Sequence, residues 1–477
     1  MEKNEPHVNN ADSHSCVSGD TRIVLINPKG RVIYTTASYF LRFGVGTTTL
    51  PGWKILSTDG KFVDLINISV NTGVNHINMI RASHGVIKVT NNQIVPIHRK
   101  CKYMELPANE VCVRDYLIEV PLKNMVREKD KLQEINLIDM IPTHSNISIV
   151  GTPKLAAFAA NINQNISEEN KAKILSGKLI PDIELDYYKS LRDQLTEVVD
   201  ENELYLTTKK SSSAMRPIPA KYKLTREFGK FYGLLYSKGC VLSNKICIIN
   251  SDSETIDFVK TYLAKLIRSD ITTIDVKPNG RSDIILNSAL FASLFKNDIL
   301  GIYHSFKDFK LPNWFFFAND EFLKGFLSGI IDGSGYLGTD RTEVFTSSAA
   351  FAEDIQVVCS ILGYIVPVSV RKRKSLPDHI KNKIYAHNSD IYRARINNLI
   401  IVDMDLYDSI KARKLNGYLR KRERRSSRIC YNRIWSIEKC NFDGYVFGLE
   451  TSNHYFATGT QLLHDCTNMN GENIHRY

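Results

Sequence analysis

The amino-acid sequence predicts a multidomain protein, in which an all-β unit assembled from both chain ends is interrupted by an inserted α+β region. Residues 21–121 have the pattern of many short strands rich in β-branched residues, without a long helix. Strand-like patterns return past Arg428, as in Ile434-Trp435-Ser436-Ile437. Between these parts, helical segments at 225–237 and 320–332 each begin a unit of about 100 residues, which indicates a pseudo-twofold duplication. We therefore expect the tail to rejoin the first β-unit.

Chain length and composition favour globular domains. A chain of 477 residues predicts two or three domains, and its apolar fraction of 43% and charged fraction of 24% are ordinary for such proteins. No run approaches the ~18 apolar residues of a membrane span. The first fifteen residues lack the apolar centre of a secretory signal. We expect no membrane association.

The region between the first β-unit and the duplicated units has a mixed pattern. Residues 167–179 and 182–206 are predicted to be helical, whereas residues 207–220, rich in Ser, Pro and Lys, are predicted to form a linker. Two roles stay open for residues 122–206. They either extend a DNA-binding surface or connect domains.

The chain is strongly basic, with a formal net charge of +11. Such an excess serves either solubility or the binding of a polyanion, and its clustering favours nucleic acid. We expect double-stranded DNA as a partner. The candidate phosphate contacts are Arg371, Lys372, Arg373, Lys374, Arg420, Lys421, Arg422, Arg424 and Arg425.

The nine cysteines form no Cys-x-x-Cys pair and no zinc-finger spacing with histidine. We therefore predict no structural metal site. An odd number of cysteines in a long chain favours free thiols. The expected location is a reducing intracellular compartment, cytoplasm or nucleus.

Two cysteines near the chain ends suggest acyl transfer along the chain's own backbone. Cys16 begins a β-type run, and Cys466 follows the pair His464-Asp465. A cysteine thiol can attack the carbonyl that precedes it, and a second cysteine can accept the resulting acyl group. The pairing divides the chain into a leader, an insert and a trailer: 1–15, 16–465 and 466–477.

On these residues, the chain resembles an intein that carries a LAGLIDADG-type homing endonuclease domain, similar to the vacuolar-ATPase intein and the mating-type-switching endonuclease. The resemblance follows the family's block order through residues 16–465 and is weakest over 122–206. It implies a monomer with a horseshoe-like Hint splicing domain, an endonuclease-like domain of two repeats, and host-protein flanks that act in cis. The implied boundaries are 1–15 and 466–477 for the flanks, 16–121 and 429–465 for the splicing domain, 122–218 for a linker or DNA-recognition region, and 219–428 for the endonuclease-like domain.

The resemblance implies that Cys16 attacks the carbonyl of Ser15 and that Cys466 then attacks the resulting thioester. His464 would assist release of the insert at Asp465, and an S-to-N acyl shift would restore a peptide bond between the flanks. His454 would assist cleavage at the downstream junction. This chemistry needs no cofactor.

The chain departs from the family at two of these positions. Asp465 stands where the family has asparagine, and a carboxylate is a poorer nucleophile for attack on its own carbonyl. Two routes stay open for it, a cyclic anhydride or direct hydrolysis. The Thr-x-x-His block reads Thr90-Asn91-Asn92-Gln93, and the Gln93 amide can bond the junction amide but cannot protonate the departing nitrogen. We therefore predict slow or conditional splicing.

The endonuclease motif is more degraded. The two copies are Phe231–Gly239 and Leu327–Gly335, and Gly233 and Gly329 would let the helices pack closely. The family's metal-binding acid corresponds to Lys238 and Ser334. Asp332 matches an earlier motif position, at which the family's residue caps or pads the helix end more than it binds metal, and Lys310 is a candidate accessory lysine. A lysine repels a cation, so Mg²⁺ is expected only if nuclease activity survives. Plain core packing of the two helices is the favoured interpretation.

Three functional hypotheses follow. The first is a self-splicing intein with a remnant, cleavage-inactive endonuclease domain that still binds DNA. The second is a site-specific DNA-binding protein that neither cuts nor splices. The third is an active endonuclease whose metal ligands are replaced from elsewhere, for instance by Asp332.

Overall fold

The computed structural model describes most of the chain, and every structural statement below concerns the described residues. These are 15–123, 125–143, 145–150, 155, 157, 167–176, 182–195, 199–208, 217–242, 244–250, 252–267, 272–276, 282–296, 299–301, 310–371, 390–406, 408–413, 415 and 432–465.

The strands of the described residues are β1 Val17–Ser18, β2 Arg22–Ile26, β3 Val32–Thr36, β4 Gly46–Thr49, β5 Lys54–Leu56, β6 Phe62–Asn71, β7 His76–Ala82, β8 Gly85–Val89, β9 Ile94–Arg99, β10 Lys102–Pro107, β11 Tyr116–Leu117, β12 Glu134–Asn136, β13 Ile147–Val150, β14 Asp182–Glu184, β15 Tyr205–Thr208, β16 Ile218–Pro219, β17 Lys221–Lys223, β18 Gly239–Val241, β19 Ile246–Asn250, β20 Thr272–Val276, β21 Ser282–Leu286, β22 Gly335–Leu337, β23 Arg341–Thr346, β24 Val368–Arg371, β25 Ile391–Asn397, β26 Asn432–Asn441, β27 Val446–Thr451, β28 Tyr455–Thr458 and β29 Gln461–His464. The α-helices are α1 Leu137–Met140, α2 Glu168–Leu175, α3 Leu185–Leu195, α4 Arg226–Lys238, α5 Ser253–Ile267, α6 Ala289–Lys296, α7 Asp320–Ser334, α8 Ala349–Ile361, α9 Asn398–Asp403 and α10 Ile410–Arg413. Short 3-10 turns occur at Ala37–Phe43, Thr58–Gly60, Glu128–Asp130, Glu201–Glu203 and Asn313–Phe317.

The chain divides into two compact units. Unit 1 comprises Met1–Asp130, Ala352–Ile396 and Lys421–Tyr477, and unit 2 comprises Lys131–Phe351 and Asn397–Arg420. Residues 131–218 therefore belong to the same unit as α4 and α7. The functional assignment of the predicted domain ranges stays a prediction.

Unit 1 is dominated by a large antiparallel sheet with strand order β10-β9-β11-β26-β7-β8-β1-β27-β6-β5-β2-β3, in which β4 also pairs with β6. Strands from both ends of the described chain lie in it: Val17 of β1 faces Phe447 of β27 and Val89 of β8. Alternating apolar side chains of these strands point into one hydrophobic core, in which Val17, Phe447 and Leu463 are buried. β28 and β29 form a separate two-stranded sheet whose Phe456 and Leu463 join this core, so Cys16 and residues 454–465 lie in the same unit.

Residues of α8 pack on this sheet within unit 1. Arg22 of β2 lies 3.2 Å from a carboxylate oxygen of Glu353 and also pairs with Asp354. The Asp354 side chain is almost fully buried. A buried carboxylate needs such a partner, since an unpaired one would lose its hydration without compensation. In the same unit, β24 pairs antiparallel with β25.

Unit 2 contains the helix pair α4 and α7. Each helix begins at a capping side chain: Thr225 accepts a hydrogen bond from the backbone N–H of Phe228, and Asn319 accepts one from that of Phe322. Along the chain, α4-β18-β19-α5-β20-β21-α6 and α7-β22-β23-α8-β24-β25-α9 repeat one order of helices and strands. A pseudo-twofold relation between the two series stays a prediction.

The predicted helix over 182–206 is confirmed only over α3. The structure has β14, α3, a 3-10 turn and β15 in this stretch. The helix is interrupted because Asp200 caps the 3-10 turn, its carboxylate accepting from the Asn202 N–H, and because Leu206 of β15 pairs with Ile149 of β13. Sheet pairing with a distant strand overrode the local helical pattern.

The other two predictions for this region are corrected in part. The expected helix over 167–179 is observed as the shorter α2, and residues 177–179 lie outside the described residues. The expected linker over 207–220 includes the end of β15, which pairs with β13, and all of β16, which pairs with the start of β15. Residues 209–216 lie outside the described residues.

In the described part of the chain, no helix combines the length and apolar character that a membrane crossing requires.

Candidate functional site

The upstream junction is held by Thr90, which contacts both sides of the Cys16 residue. The backbone N–H of Cys16 donates to the Thr90 hydroxyl oxygen at 2.9 Å, and the Thr90 N–H donates to the Cys16 carbonyl at 3.0 Å. Cys16 is 1% exposed and packs among Val74, Ile77 and Val446. The amide nitrogen that would leave in an acyl shift is therefore fixed by a buried hydroxyl.

Two further contacts restrain this junction. The Ser15 hydroxyl donates to the carbonyl of Asn92 at 3.0 Å, which anchors the residue before Cys16 on the same turn that carries Thr90. The Asn71 side-chain amide lies 3.9 Å from the Cys16 sulfur and can donate to it. An amide donor stabilises a thiolate more than a neutral thiol.

Gln93 connects this turn to the downstream junction. Its side-chain amide donates to the carbonyl of His464 at 2.6 Å and to that of Ile94 at 3.1 Å. The Gln93 side-chain oxygen is buried and has no hydrogen-bond partner among the described residues. The expected bond from Gln93 to the upstream junction amide is not among its described contacts. The Gln93 amide instead bonds the carbonyl of His464, the residue before Asp465.

The Asp465 carboxylate is buried and oriented by the backbone. One carboxylate oxygen accepts the Thr451 N–H at 2.9 Å and lies 3.3 Å from Nδ1 of His454. The Asp465 N–H donates to the carbonyl of His454 at 2.8 Å. His454 has a positive φ of 65°, which a non-glycine residue adopts at an energetic cost. This turn conformation turns the His454 carbonyl toward Asp465.

His464 lies directly at the bond that would break downstream. Its Nδ1 is 3.2 Å from the Asp465 carbonyl oxygen and 3.5 Å from the carboxylate. The ring stacks on His454 at a centroid distance of 5.9 Å and contacts Tyr455 edge-on at 5.2 Å. The His464 side chain is 17% exposed, whereas that of His454 is 57% exposed. Cys466 lies outside the described residues.

Sequence reasoning missed Asn71 and Thr451 in this site. Asn71 ends β6 and Thr451 ends β27, and each reaches the site through sheet pairing rather than through a local motif. No spacing in the sequence signals them. Thr451 acts through its backbone N–H, which any residue except proline carries.

The helix pair α4 and α7 of unit 2 approaches at its glycines. A methyl group on Gly233 would overlap the carbonyl oxygen of Phe326, and one on Gly329 would overlap that of Lys230. Gly229 and Gly325 meet the opposite backbone in the same way. The two helices are thus in backbone-to-backbone contact, as the small residues predict.

The ends of these helices carry no pair of acids. Lys238 is the last residue of α4 and Ser334 the last of α7, whose hydroxyl donates back to the Ile330 carbonyl at 3.4 Å. The backbone carbonyl of Lys310 accepts the Tyr236 hydroxyl at 3.2 Å. Among the described residues, no group of three or more His, Cys, Asp or Glu could hold a metal. A divalent metal does not fit the motif positions as they stand.

The Asp332 carboxylate is engaged in hydrogen bonds and an ion pair within unit 2. Its carboxylate accepts the Ser409 hydroxyl at 2.6 Å and the backbone N–H groups of Ile410 and Lys411, both at 3.1 Å. Nζ of Lys230 lies 3.3 Å away. The carboxylate therefore caps the start of α10 and neutralises a buried lysine, which leaves it poorly suited to bind a cation.

Of the candidate phosphate contacts, only Arg371 is described. It is exposed at the end of β24. The others, Lys372, Arg373, Lys374, Arg420, Lys421, Arg422, Arg424 and Arg425, lie outside the described residues.

No protein-family model matches the chain. Over 298 residues it is 24% identical to uncharacterized protein MJ1054 of Methanocaldococcus jannaschii, covering 58% of this chain and 32% of that protein. Over 136 residues it is 29% identical to the DNA-directed RNA polymerase subunit Rpo1C of the same organism, covering 28% of this chain and 15% of the subunit. The chain thus spans a third or less of these relatives.

Solved structures with partial likeness include endonucleases and inteins. The homing endonuclease I-DmoI in complex with DNA and Mn has a TM-score of 0.28 at 14% identity, covering 40% of this chain and 98% of that one. The transcription factor IIB Mvu mini-intein has a TM-score of 0.21 at 12% identity, covering 24% of this chain and 72% of that one. At these values, neither likeness assigns the chain to a family.

Proposed function

We propose that the chain is an intein-type self-splicing protein, which excises residues 16–465 and joins Ser15 to Cys466. One observation carries this proposal. A single turn, 90–93, bonds the Cys16 peptide through Thr90 and the His464 carbonyl through Gln93. Side chains of one short turn therefore bond groups at both proposed junctions.

In the first step, the Cys16 sulfur attacks the Ser15 carbonyl carbon, and the bond between that carbon and the Cys16 nitrogen breaks. The product is a thioester, and the freed amine takes up a proton. The Thr90 hydroxyl supports this step by holding the leaving nitrogen at 2.9 Å. The Asn71 amide, 3.9 Å from the sulfur, supports the thiolate. Gln93 supplies no proton, so the step is slow.

In the second step, the Cys466 thiolate attacks the thioester carbon and displaces the Cys16 sulfur. The upstream flank is then attached to the Cys466 side chain, and the Cys16 thiolate is regenerated. The flank 1–15 and the flank 466–477 act in cis. No cofactor takes part in this exchange.

In the third step, Asp465 releases the insert. Its carboxylate attacks its own main-chain carbonyl carbon, the bond to the Cys466 nitrogen breaks, and a cyclic anhydride forms that water hydrolyses. His464 supports this step because its Nδ1 lies 3.2 Å from that carbonyl oxygen, where it can donate to the developing oxyanion and then protonate the leaving amine. The freed Cys466 amine takes the acyl group from its own sulfur, which completes the new peptide bond.

The inserted helix-pair region is, in this proposal, an endonuclease remnant that no longer cuts. Lys238 and Ser334 supply no carboxylate at the positions where the family binds its metal, and the Asp332 carboxylate is already engaged by α10 and Lys230. Mg²⁺ would matter only to a surviving nuclease activity. Binding of double-stranded DNA is part of the proposal because the net charge of +11 supplies phosphate contacts without the acids.

A second candidate is a DNA-binding protein that neither splices nor cuts. The intact glycine contact between α4 and α7 favours it, since this scaffold persists without its acids. A monomer in a reducing intracellular compartment suits both candidates, because free thiols are needed for the first and harmless to the second.

The decisive experiment places the full chain between two reporter proteins and measures the masses of the products after expression. We expect an excised fragment of residues 16–465 and a fusion of the two reporters through Ser15 and Cys466, accumulating slowly. A precursor that stays intact under mild thiol would end the splicing proposal and leave the binding candidate. Supercoiled plasmid that carries the uninterrupted host site, incubated with Mg²⁺, should show no nicking.

A further inference from the structure

In unit 2, two cysteines face each other across a hairpin that plays no part in the proposed splicing. Cys240 of β18 is the direct cross-strand partner of Cys247 of β19. The strand β18 lies at one end of the described sheet order β18-β19-β21-β20 and begins directly after Lys238. Both cysteines are free thiols.

The spacing of the pair follows from the hydrogen-bond pattern of the hairpin. The Leu242 N–H donates to the Lys245 carbonyl at 2.8 Å, so this facing pair is of the hydrogen-bonded type. Facing pairs alternate along an antiparallel ladder, which makes the Cys240–Cys247 pair hydrogen-bonded as well, with Cα atoms about 5.5 Å apart. Disulfides span Cα distances of roughly 4.4–6.8 Å. This Cα separation lies within the disulfide range, and the two thiols already contact each other through a side-chain hydrogen bond.

We propose that Cys240 and Cys247 form a reversible cross-strand disulfide, which pins the edge strand β18 to β19 when the chain meets a small-molecule disulfide oxidant. The inference is independent of splicing, since neither cysteine belongs to the junction site.

The two thiols differ in access, which sets the order of the reaction. Cys240 is partly exposed and Cys247 is buried. Burial, together with the adjacent Cys240 thiol that it hydrogen-bonds, raises the pKa of Cys247 to about 11. The Cys240 thiolate therefore attacks the oxidant first. A mixed disulfide forms between Cys240 and one half of the oxidant, and the other half leaves as a thiolate. The Cys247 sulfur then attacks the Cys240 sulfur and displaces the remaining half of the oxidant as a second thiolate. Two electrons pass to the oxidant, and the two cysteine protons end on the released thiols.

The test is peptide mapping of the full chain after incubation with oxidised glutathione. Free thiols are alkylated in denaturant, and the chain is cut with trypsin without reduction. Trypsin cleaves after Lys238, Lys245 and Lys260, so the two cysteines fall in separate peptides, 239–245 and 246–260. We expect these peptides to appear joined by a disulfide and to separate on reduction.

Matched variants define the alternatives. Cys247→Ser should leave Cys240 as a mixed disulfide with glutathione, whereas Cys359→Ser, which removes a buried thiol elsewhere in the chain, should leave the cross-link unchanged. In the wild-type chain, a glutathione adduct on Cys240 beside an alkylated Cys247 would overturn the proposal. Alkylation of both cysteines would overturn it equally.

Discussion

At the junctions in unit 1, the side chains that could act on a peptide bond contact that bond, whereas in unit 2 the helix pair keeps its packing without the acids that would act on DNA. Thr90 and His464 lie 2.9 and 3.2 Å from atoms of the two junction residues. Lys238 and Ser334 occupy the corresponding ends of α4 and α7.

This contrast shows that a substitution can remove a chemical group from a site without changing the fold around it. Close helix packing depends on glycines at the contact, and replacing any of them would drive backbones apart. Replacing an acid at the exposed end of a helix costs little stability, so that chemistry can disappear while the fold persists. In unit 1, the Thr90, Gln93 and Asp465 side chains of the proposed site are buried and bond the backbone. Replacing one of them therefore removes local hydrogen bonds together with any chemistry that it supports.

The largest expected effect comes from Cys16→Ala, which removes the proposed nucleophile. We expect complete loss of thiol-induced cleavage after Ser15, while release at Asp465 continues. The measurement is a gel assay of the full chain between reporters, with and without added thiol. Cys112→Ala, at an exposed thiol, is the matched control and should behave as wild type. Upstream cleavage that persists in Cys16→Ala would remove this residue from the reaction.

Gln93→His should accelerate the upstream step. An imidazole can protonate the departing Cys16 nitrogen, which the amide cannot do, and such help is typically worth roughly 10²–10⁴-fold. The initial rate of thioester formation, trapped with excess thiol, measures it. Gln93→Leu serves as control, because it fills the site, loses the bond to the His464 carbonyl and gains no acid. Equal rates in the His variant and the wild type would show that proton supply does not limit the step.

Asp332→Ala separates a structural carboxylate from a metal ligand in unit 2. The change leaves Lys230 without its ion pair, although both side chains are at least nine-tenths buried, and it uncaps α10. Removing one partner of a buried pair typically costs about 3–5 kcal/mol. The free energy of unfolding from a denaturant titration should therefore fall by about that amount, with the midpoint at lower denaturant concentration. Ser334→Ala, on the same helix, should cost little. If Asp332→Ala instead left stability unchanged but abolished a Mg²⁺-dependent nicking activity, the third hypothesis would return.

The elements that could be predicted from sequence are those whose signals are local. Thr225 and Asn319 mark the starts of α4 and α7 because a capping side chain bonds a backbone group only three positions later. The bond from Gln93 to the His464 carbonyl could not be predicted, since it joins residues far apart in the chain. The capping of α10 by Asp332 could not be predicted either, because the groups that it bonds lie far along the chain, at residues 409–411. The Gln93 contact differs from the one that its motif position had suggested, the upstream junction amide.

The smallest expected effect is a pH dependence within unit 1. Asp115 is desolvated, which alone would raise its pKa, but bonds from Arg99 and from the Cys112 N–H outweigh burial and hold its pKa below the usual value. A depressed folded-state pKa contributes stability that is present above the unfolded value near ~3.9 and is lost as pH falls through the folded value. Asp115→Asn should therefore lower stability at neutral pH by about 1 kcal/mol and flatten the acid limb of the unfolding curve. Asp64→Asn, at an exposed pair with Lys54, should leave that limb unchanged. A wild-type acid limb in Asp115→Asn would show that the Arg99 pair does not contribute to acid sensitivity.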